Sequence, residues 1–545
     1  MPYSSSAHTI DLFVEGSNMS VKFEFAAEAG NAMTLPSLLA GLAGSSSSMA
    51  SGTGETPSAA LGSDIRICDV TTDPNLCKPG YLYLADQSET VDSTRLGVRL
   101  DGRDYICEAL NNGASAVLTT ADVQVQSQSV PFIFHDQPLA LLGPICARLF
   151  PSPRPTTVAL VTGTNGKTST VNFASRLWSS AGRPACSVGN LGGVCSDGSL
   201  VWERDPTLSV PETVFLHKML RHLARGGFNH VALEATSHAL YDHRLTACGA
   251  TIGAFTNLTR DHLNFHASME EYFSVKMRLF EEVLNPGSIA VLNADVPFFA
   301  EALSVCKSRK HRIITFGREA ETIRLLSTKK YECGQILKLA VEDRSFEVDF
   351  KLFGDFQISN ALCALAIVIA SGLPTDEAVD GLGALEQVEG RLNTVVTTDD
   401  GARVVIDYAH TPDGIRAALE ACRSFTVGKL IIVFGCDGES DRGKRPQMGE
   451  VASKLADLVI VTDDHPRRED AAAIRREIIE GAPAARDIAG RATAIAAGVA
   501  ELSAGDTLLI AGFGHETFQQ IGDVRLPFSD AQVARLAARS LPYGG

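Results

Sequence analysis

Apolar runs of five or six residues recur along the chain, and most end on a cluster of Gly, Thr, Asp, Asn or His. Between Thr156 and about Val388 they are Val158–Thr162, His230–Glu234, Thr251–Thr256, Ser288–Leu292 and Arg312–Phe316, separated by longer segments of helix-compatible composition. Strands alternating with helices predict a mainly parallel sheet covered on both faces, with ligands at the carboxyl ends of its strands. The pattern repeats with Ala402–Asp407, Lys429–Phe434, Asp457–Thr462 and Asp506–Ala511, which predicts a second, Rossmann-like sheet. Ahead of both, Gly80–Ala85, Ala116–Thr119 and Val130–Phe134 mark a small α/β unit. Pro151-Ser-Pro-Arg-Pro155 breaks any regular element, and Glu389-Gly-Arg391 marks a second boundary. The expected fold is α/β in three domains, 1–154, 155–389 and 390–545.

A chain of 545 residues is too long for one core, which agrees with that division. With 45% apolar and 21% charged residues the composition is that of an ordinary globular protein. The formal net charge of -16 argues against nucleic acid or an anionic membrane as the main partner. Any anionic ligand must then be held by local basic groups and backbone N–H donors. The 12 cysteines include no C-x-x-C pair, so neither a zinc framework nor a disulfide scaffold is indicated, and a reducing cytosol is expected. No stretch has the length of a membrane span, and the start lacks a secretory pattern. Ser45 to Ser58, rich in Ser, Gly and Thr, reads as a flexible surface insertion.

The most specific stretch is Val158-Ala-Leu-Val-Thr-Gly-Thr-Asn-Gly-Lys-Thr168, a β-branched run, a glycine turn and then a helix-compatible segment. Gly163 and Gly166 let the N–H groups of Thr164, Asn165 and Ser169 and the positive helix end converge on phosphate oxygens. Lys167 is placed to reach the β- and γ-phosphates, and the Thr168 hydroxyl to bind Mg2+. The spacing departs from G-x-x-x-x-G-K-[ST], because the first glycine falls at Val161. The bland alternative is an ordinary glycine turn before a helix.

Three further clusters follow apolar runs or lie on a predicted helix: Glu234-Ala-Thr-Ser-His238, Thr256-Asn-Leu-Thr-Arg-Asp-His-Leu-Asn264 and Tyr272-Phe-Ser-Val-Lys-Met-Arg-Leu-Phe280. With the phosphate loop, these resemble the ATP-dependent Mur ligases of peptidoglycan synthesis over nearly the whole chain. The resemblance implies that Thr168, Glu234, His262 and the carbamate of Lys276 hold magnesium, and that Lys276, so carbamylated, serves with Lys167 and His262 in catalysis. Standing alone, Lys276 would read as a surface helix lysine. Ser209, His238, Arg244 and Lys276 are implied to face a nucleotide-sugar substrate, although His238 and Arg244 alone could be satisfied surface side chains.

In the last third, Gly390-Arg391, Asp407-Tyr-Ala-His410-Thr-Pro412 and Asn360, within Gly-x-Phe-x-x-x-Asn, resemble the family's ATP motifs. Asp464-His465-Pro466-Arg467 resembles the Asp-Asn-Pro-Arg motif of the diaminopimelate-adding members, and Gly512-Phe-Gly-His-Glu516 resembles their Gly-Lys-Gly-His-Glu. Carboxylates can take an amino group, and Arg467 can clamp a carboxylate bidentately. The chain also departs from the family. Asp437-Gly-Glu-Ser-Asp441 replaces Gly-Gly-Asp-Arg-Asp, so Ser440 stands for an arginine. His465 replaces Asn, Phe513 replaces Lys, Gln357 replaces Asn, Asp73-Pro-Asn75 replaces Asp-Ser-Arg, and Ser209-Val-Pro211 replaces Thr-Thr-Pro.

The resemblance implies a cytoplasmic, monomeric, ATP- and Mg2+-using ligase that joins meso-diaminopimelate to UDP-N-acetylmuramoyl-L-alanyl-D-glutamate through an acyl phosphate. Ser440 and His465 keep L-lysine or another diamino acid open. A nucleotide-binding paralogue acting as a scaffold is the alternative from another class, and the retained Lys167, Glu234, His262 and Lys276 argue against it. Folylpolyglutamate synthase shares the central logic, but the Asp464–Arg467 stretch and the N-terminal domain do not suit it.

Overall fold

A computed structural model describes residues 31–42, 48–50, 64–86, 101–123, 129–203, 208–331 and 334–539. The Ser45–Ser58 stretch lies outside the described residues, apart from a strand at Ser48–Ala50. That strand forms the antiparallel edge of a five-stranded sheet that continues, all parallel, through Phe132–Phe134, Ala116–Thr119, Tyr81–Leu84 and Asp69–Thr71. The three runs expected here are all strands. The helix Pro138–Leu149 packs across this sheet with Leu141, Leu142, Ile145 and Leu149 buried.

The central sheet has eleven strands, in the order Leu200–Trp202, Gly192–Cys195, Ala185–Gly189, His230–Glu234, Thr157–Thr162, Ile252–Phe255, Ile289–Asn293, Arg312–Gly317, Ile323–Tyr331, Gly334–Val341, Arg344–Phe350. From Ala185–Gly189 to Ile323–Tyr331 neighbours run parallel, and both ends close with antiparallel strands. The five expected strands form its middle. The terminal meander escaped the apolar pattern because only alternate side chains of Ile323–Arg324–Leu325 and Val348–Asp349–Phe350 turn inward. Thr157–Thr162 is wholly buried and lies between His230–Glu234 and Ile252–Phe255, so their carboxyl ends surround the turn that follows it.

One departure concerns the thiols. Cys186 and Cys195, directly opposite on paired strands, are joined in a disulfide, whereas the scattered spacing gave no sign of one.

The last sheet orders its strands Asn393–Thr397, Arg403–Asp407, Thr507–Ala511, Leu430–Phe434, Leu458–Val461, Arg486–Asp487, parallel except for the first. Thr507–Ala511, the last of these strands in chain order, inserts between Arg403–Asp407 and Leu430–Phe434. This brings Asp407, Gly435–Asp437, Asp464 and Gly512 to one edge, beyond the carboxyl ends of four strands. The helix Pro412–Arg423 starts on Thr411, whose hydroxyl caps the Gly414 N–H, and buries Ile415, Ala418, Leu419 and Cys422. Among the described residues no helix is long and apolar enough to cross a membrane.

Candidate active site

Gly163 and Gly166 take φ of 144° and 90°, and the space beside each is filled. A Cβ at Gly163 would sit 1.9 Å from Thr256 Oγ1, and one at Gly166 would sit 2.2 Å from Asn360 Oδ1. The neighbouring strand end holds the turn. Asn257 accepts the Thr164 N–H on its carbonyl (3.0 Å) and the Asn165 N–H on its side chain (2.9 Å), while the Thr256 hydroxyl donates to the Asn165 carbonyl (2.7 Å). Lys167 opens the helix Lys167–Ser180 and folds back onto the carbonyls of Gly163 and Thr164, at 3.0 and 2.8 Å. Burial lowers its pKa, which primes the amine to trade these carbonyls for a more strongly charged oxygen. Ser169, the next residue of the helix, is buried.

Thr168 and Glu234 meet behind the turn. The Thr168 hydroxyl donates to Glu234 Oε1 (2.8 Å) and accepts from Arg391 Nη2 (3.0 Å), and the Asn190 N–H donates to the same Oε1 (2.9 Å). Glu234 is fully buried, yet its Oε2 has no hydrogen-bond partner. An orphaned carboxylate oxygen beside a threonine hydroxyl is a fitting place for a hard divalent cation. Gly189 is needed here, because a Cβ on it would sit 2.1 Å from Glu234 Oε1.

His262 has a left-handed backbone (φ 55°), a conformation that costs a residue with a Cβ about 1 kcal/mol or more. Its carbonyl, accepting from the N–H groups of Phe265 and His266 at 2.9 Å, holds it there. Burial pushes the imidazole down to about 3, and His238, whose ring meets it edge-on at 5.1 Å, to about 4. Both rings are therefore neutral at pH 7 and able to bind a metal or a hydrogen-bond donor. Lys276, 1% exposed, donates to the Gly163 carbonyl at 2.9 Å and lies over the Tyr272 ring. Burial, and then the Lys167 charge, hold its amine well below the usual lysine range. It is not the surface helix lysine its position alone allowed.

Asp261 joins two domains. It faces His262 Nε2 (3.4 Å), His410 Nε2 (3.5 Å) and Lys444 Nζ (3.3 Å), the last two from the C-terminal domain. Further contacts cross the same seam: His515 Nε2 lies 3.1 Å from the Asn190 carbonyl, and Gln357 donates to the Arg391 carbonyl at 3.4 Å. The Arg391 guanidinium stacks on Tyr408, and Asp407, pushed up to about 6 by burial, accepts the Leu392 N–H at 2.6 Å. The expected ATP-side residues thus gather around the phosphate turn. Of the expected sugar-side residues, Ser209 bonds the Asn190 side chain, His238 adjoins His262, and Arg244 pairs with Asp242 at 2.8 Å. Asp73, in the altered Asp73-Pro-Asn75, caps its own turn by accepting the Asn75 N–H.

The expected amino-acid residues form a separate cluster beyond the C-terminal strands. Asp464 is buried, accepts the His465 N–H, and lies 3.7 Å from Arg491. Gly512 (φ 114°) leaves it room, since a Cβ there would meet its Oδ2 at 2.3 Å. Arg467 also has a left-handed backbone (φ 54°), fixed by main-chain bonds to the hairpin 518–527. Its guanidinium is 41% exposed and 3.8 Å from Asp437. Pro466 closes against Gly438, and Glu516 follows on the Gly512–Glu516 loop. Ser440 turns its hydroxyl into its own loop, donating to the Asp437 carbonyl at 2.8 Å. Sequence reasoning passed over Asn190, Asp261, Lys444 and Asp437. Two of them carried a signal: Asp261, between Arg260 and His262 in a quoted cluster, and Asp437, as a departure from the family pattern.

Comparison with known proteins agrees with this arrangement. Residues 161–368 match the Mur ligase middle domain, and residues 390–514 match the Mur ligase, glutamate ligase domain. A UDP-N-acetylmuramoyl-L-alanyl-D-glutamate--2,6-diaminopimelate ligase of Brucella melitensis is 40% identical over 478 residues, covering 87% of this chain and 95% of that protein. One of Rhizobium meliloti is 41% identical over 477 residues, covering 88% and 95%. A solved structure of a ligase of the same name superposes with a TM-score of 0.63 at 28% identity, covering 90% of this chain and 98% of that one. A MurF from Acinetobacter baumannii, 17% identical with a TM-score of 0.60 and covering 89% and 96%, shares the fold. With two domain matches and relatives of this identity along nearly its whole length, the chain belongs to the Mur ligase family.

Proposed function

We propose that this protein is the ligase that joins meso-diaminopimelate to UDP-N-acetylmuramoyl-L-alanyl-D-glutamate at the expense of ATP. Its domains are then 1–154 for the nucleotide sugar, 155–389 for ATP and 390–545 for the amino acid. The observation that carries the reading is Glu234: buried, with one oxygen bonded to the hydroxyl that follows Lys167 and the other without a partner. Thr168, Glu234 and His262 are the residues that would hold Mg2+, which when bound neutralises phosphate charge.

The D-glutamyl carboxylate attacks the γ-phosphorus, its oxygen bonding to phosphorus as the bond to the β-bridging oxygen breaks and ADP leaves. The amine then attacks the acyl carbon, forming C–N as C–O breaks and phosphate departs. Lys167 leaves the carbonyls of Gly163 and Thr164 for the phosphates. Because the Thr164 and Asn165 N–H groups, expected to face phosphate, are held by Asn257, it is the N–H groups opening the helix Lys167–Ser180, with Arg391, that counter the remaining charge. Lys276, whose burial favours the neutral amine, can add to CO2, losing a proton as N–C forms. The resulting carbamate is an anion beside Lys167, which two neighbouring ammonium groups could not be. Contacts from Asp261 and Asn190 to the C-terminal domain support closure as the step that brings the amine to the acyl phosphate.

Purified protein should release ADP and form a tripeptide product only when ATP, the dipeptide nucleotide and a diamino acid are all present. A panel containing meso-diaminopimelate and L-lysine identifies the amino acid. ATP turnover without ligation under every combination would overturn the reading.

A further inference from the structure

The amino-acid pocket holds one charged group that the family pattern does not account for. Where that pattern has Gly-Gly-Asp-Arg-Asp, a carboxylate stands at Asp437 in place of a bare glycine, and Ser440 in place of a guanidinium. Carboxylate oxygens of Asp437 and Asp464 and a ring nitrogen of His465 lie within 4.8 Å of one another. Asp437 Oδ2 is 3.8 Å from Arg467 Nη2, yet Asp437 Oδ1 and Arg467 Nε are both shut from solvent with no hydrogen-bond partner. An acceptor and a donor are therefore left unsatisfied side by side, a costly arrangement that a ligand carrying both signs would relieve.

The cations nearby are already committed. Lys444 is held by Asp261 at 3.3 Å, and Arg491, although 3.7 Å from Asp464, makes its 2.7 Å contacts with Asp530. His465 accepts the Gln520 N–H on Nδ1, and burial keeps its ring neutral. Burial, and then the Asp437 charge, raise the Asp464 carboxyl well above the usual range, the behaviour of two carboxylates that lack a cation between them. Two carboxylates and an imidazole at this spacing could also suit a metal ion. The Arg467 guanidinium beside them repels a dication, whereas it satisfies the carboxylate of an amino acid.

We propose that Asp437 and Asp464 together clamp the ammonium at the distal end of the incoming diamino acid, with Arg467 taking the carboxylate on the same carbon. The clamp rests on the ligase reading above. It makes Asp437, which stands where the family pattern has glycine, a specificity residue that reads the second amine beside Arg467.

The test compares meso-diaminopimelate with L-2-aminopimelate, which keeps the distal carboxylate and lacks the distal amine. The full-length protein is assayed alongside Asp437→Asn and Asp437→Gly, the latter restoring the family residue should the former fold poorly. Wild type should prefer the diamine by about tenfold or more in kcat/KM, and in the variants the preference should fall to within about threefold through KM for the amino acid. KM for ATP should not move. An undiminished preference in a folded variant overturns the clamp. So does wild type using both compounds equally, which leaves the ligase reading intact. A stoichiometric Mn2+ held by wild type and lost from Asp437→Asn would assign the carboxylates to a metal and overturn the clamp. Wild type ligating neither compound overturns the ligase reading itself.

Discussion

Arg260 and Asp441 are joined by two hydrogen bonds, 2.9 Å from Nε and 3.0 Å from Nη2, across the seam between the central and C-terminal domains. The fork depends on a bare backbone at Gly443, where a Cβ would lie 2.3 Å from Nη2. Arg260 is 37% exposed, so the pair contributes only ~1 kcal/mol to docking. Arg260→Ala and Gly443→Ala should therefore each lower kcat/KM by about fivefold. Limited proteolysis should cut the interdomain segment faster while each domain keeps its melting behaviour.

On the proposed reading, Lys167 and Thr168 serve phosphate and metal rather than a core. Lys167→Ala should lower kcat at least ~10²-fold, as removal of one positioned charge does at other active sites. Circular dichroism and thermal melting should match wild type. A folded variant of near-normal rate would remove the phosphate-turn assignment.

Lys276→Ala should lose most activity, and a short carboxylic acid should restore part of it by supplying the oxygens of the missing carbamate. Steady-state rates with and without added acetate or bicarbonate measure this. Electron density showing a bare amine in an ATP-bound crystal would contradict it.

Meso-diaminopimelate differs from lysine by one carboxylate, and on the proposed reading Arg467 is the guanidinium that reads it. Removing one partner of such a pair typically costs ~2–5 kcal/mol, enough for a preference on the order of 10²-fold. Arg467→Ala should raise KM for diaminopimelate far more than Ser440→Ala, whose hydroxyl is spent on the Asp437 carbonyl. Equal kcat/KM for the two amino acids in wild type would show that Arg467 does not discriminate between them.

His217 is fully buried between Arg154, 2.9 Å from its Nδ1, and the Thr246 carbonyl, and burial, then Arg154, push it down to about 3. The unfolded chain therefore takes up this proton first, near 6.5, so stability is unaffected above that pH and falls as pH drops towards 3. The loss approaches ~1.4 kcal/mol per pH unit for this one group. His217→Gln should flatten the slope by that amount in urea titrations at pH 7.5, 6 and 5. An unchanged slope would mean that His217 is neutral in neither state or in both.

Much of the fold was legible because a fully buried parallel strand must be a continuous apolar run, and His230–Glu234 and Ala116–Thr119 match the structure residue for residue. Ile323–Phe350 was not, since an edge meander buries only alternate side chains. The phosphate turn was readable because glycines and Lys167 are close in sequence. Asn190, which bonds both Glu234 and the loop of His515, was not, because its role comes from a strand end that the fold alone brings near. Asp437 could be read from sequence only as a departure, and its proximity to Asp464 needed the strand order.

Phe513 lies flat against His465, 4.4 Å away with planes 4° apart, and the Arg491 guanidinium covers it 3.9 Å from the ring centre. The two departures from the family pattern therefore form one stack capped by a fixed cation. Restoring lysine at 513 alone would press an ammonium against Arg491 in a buried site, while restoring asparagine at 465 alone would strip the aromatic ring of its cover. The route back to the family's residues is accordingly uphill by either single step, and a double-mutant cycle should find His465→Asn and Phe513→Lys together less damaging than their separate effects predict. Positions 465 and 513 are thus coupled through one stack whose cover, Arg491, is fixed by Asp530.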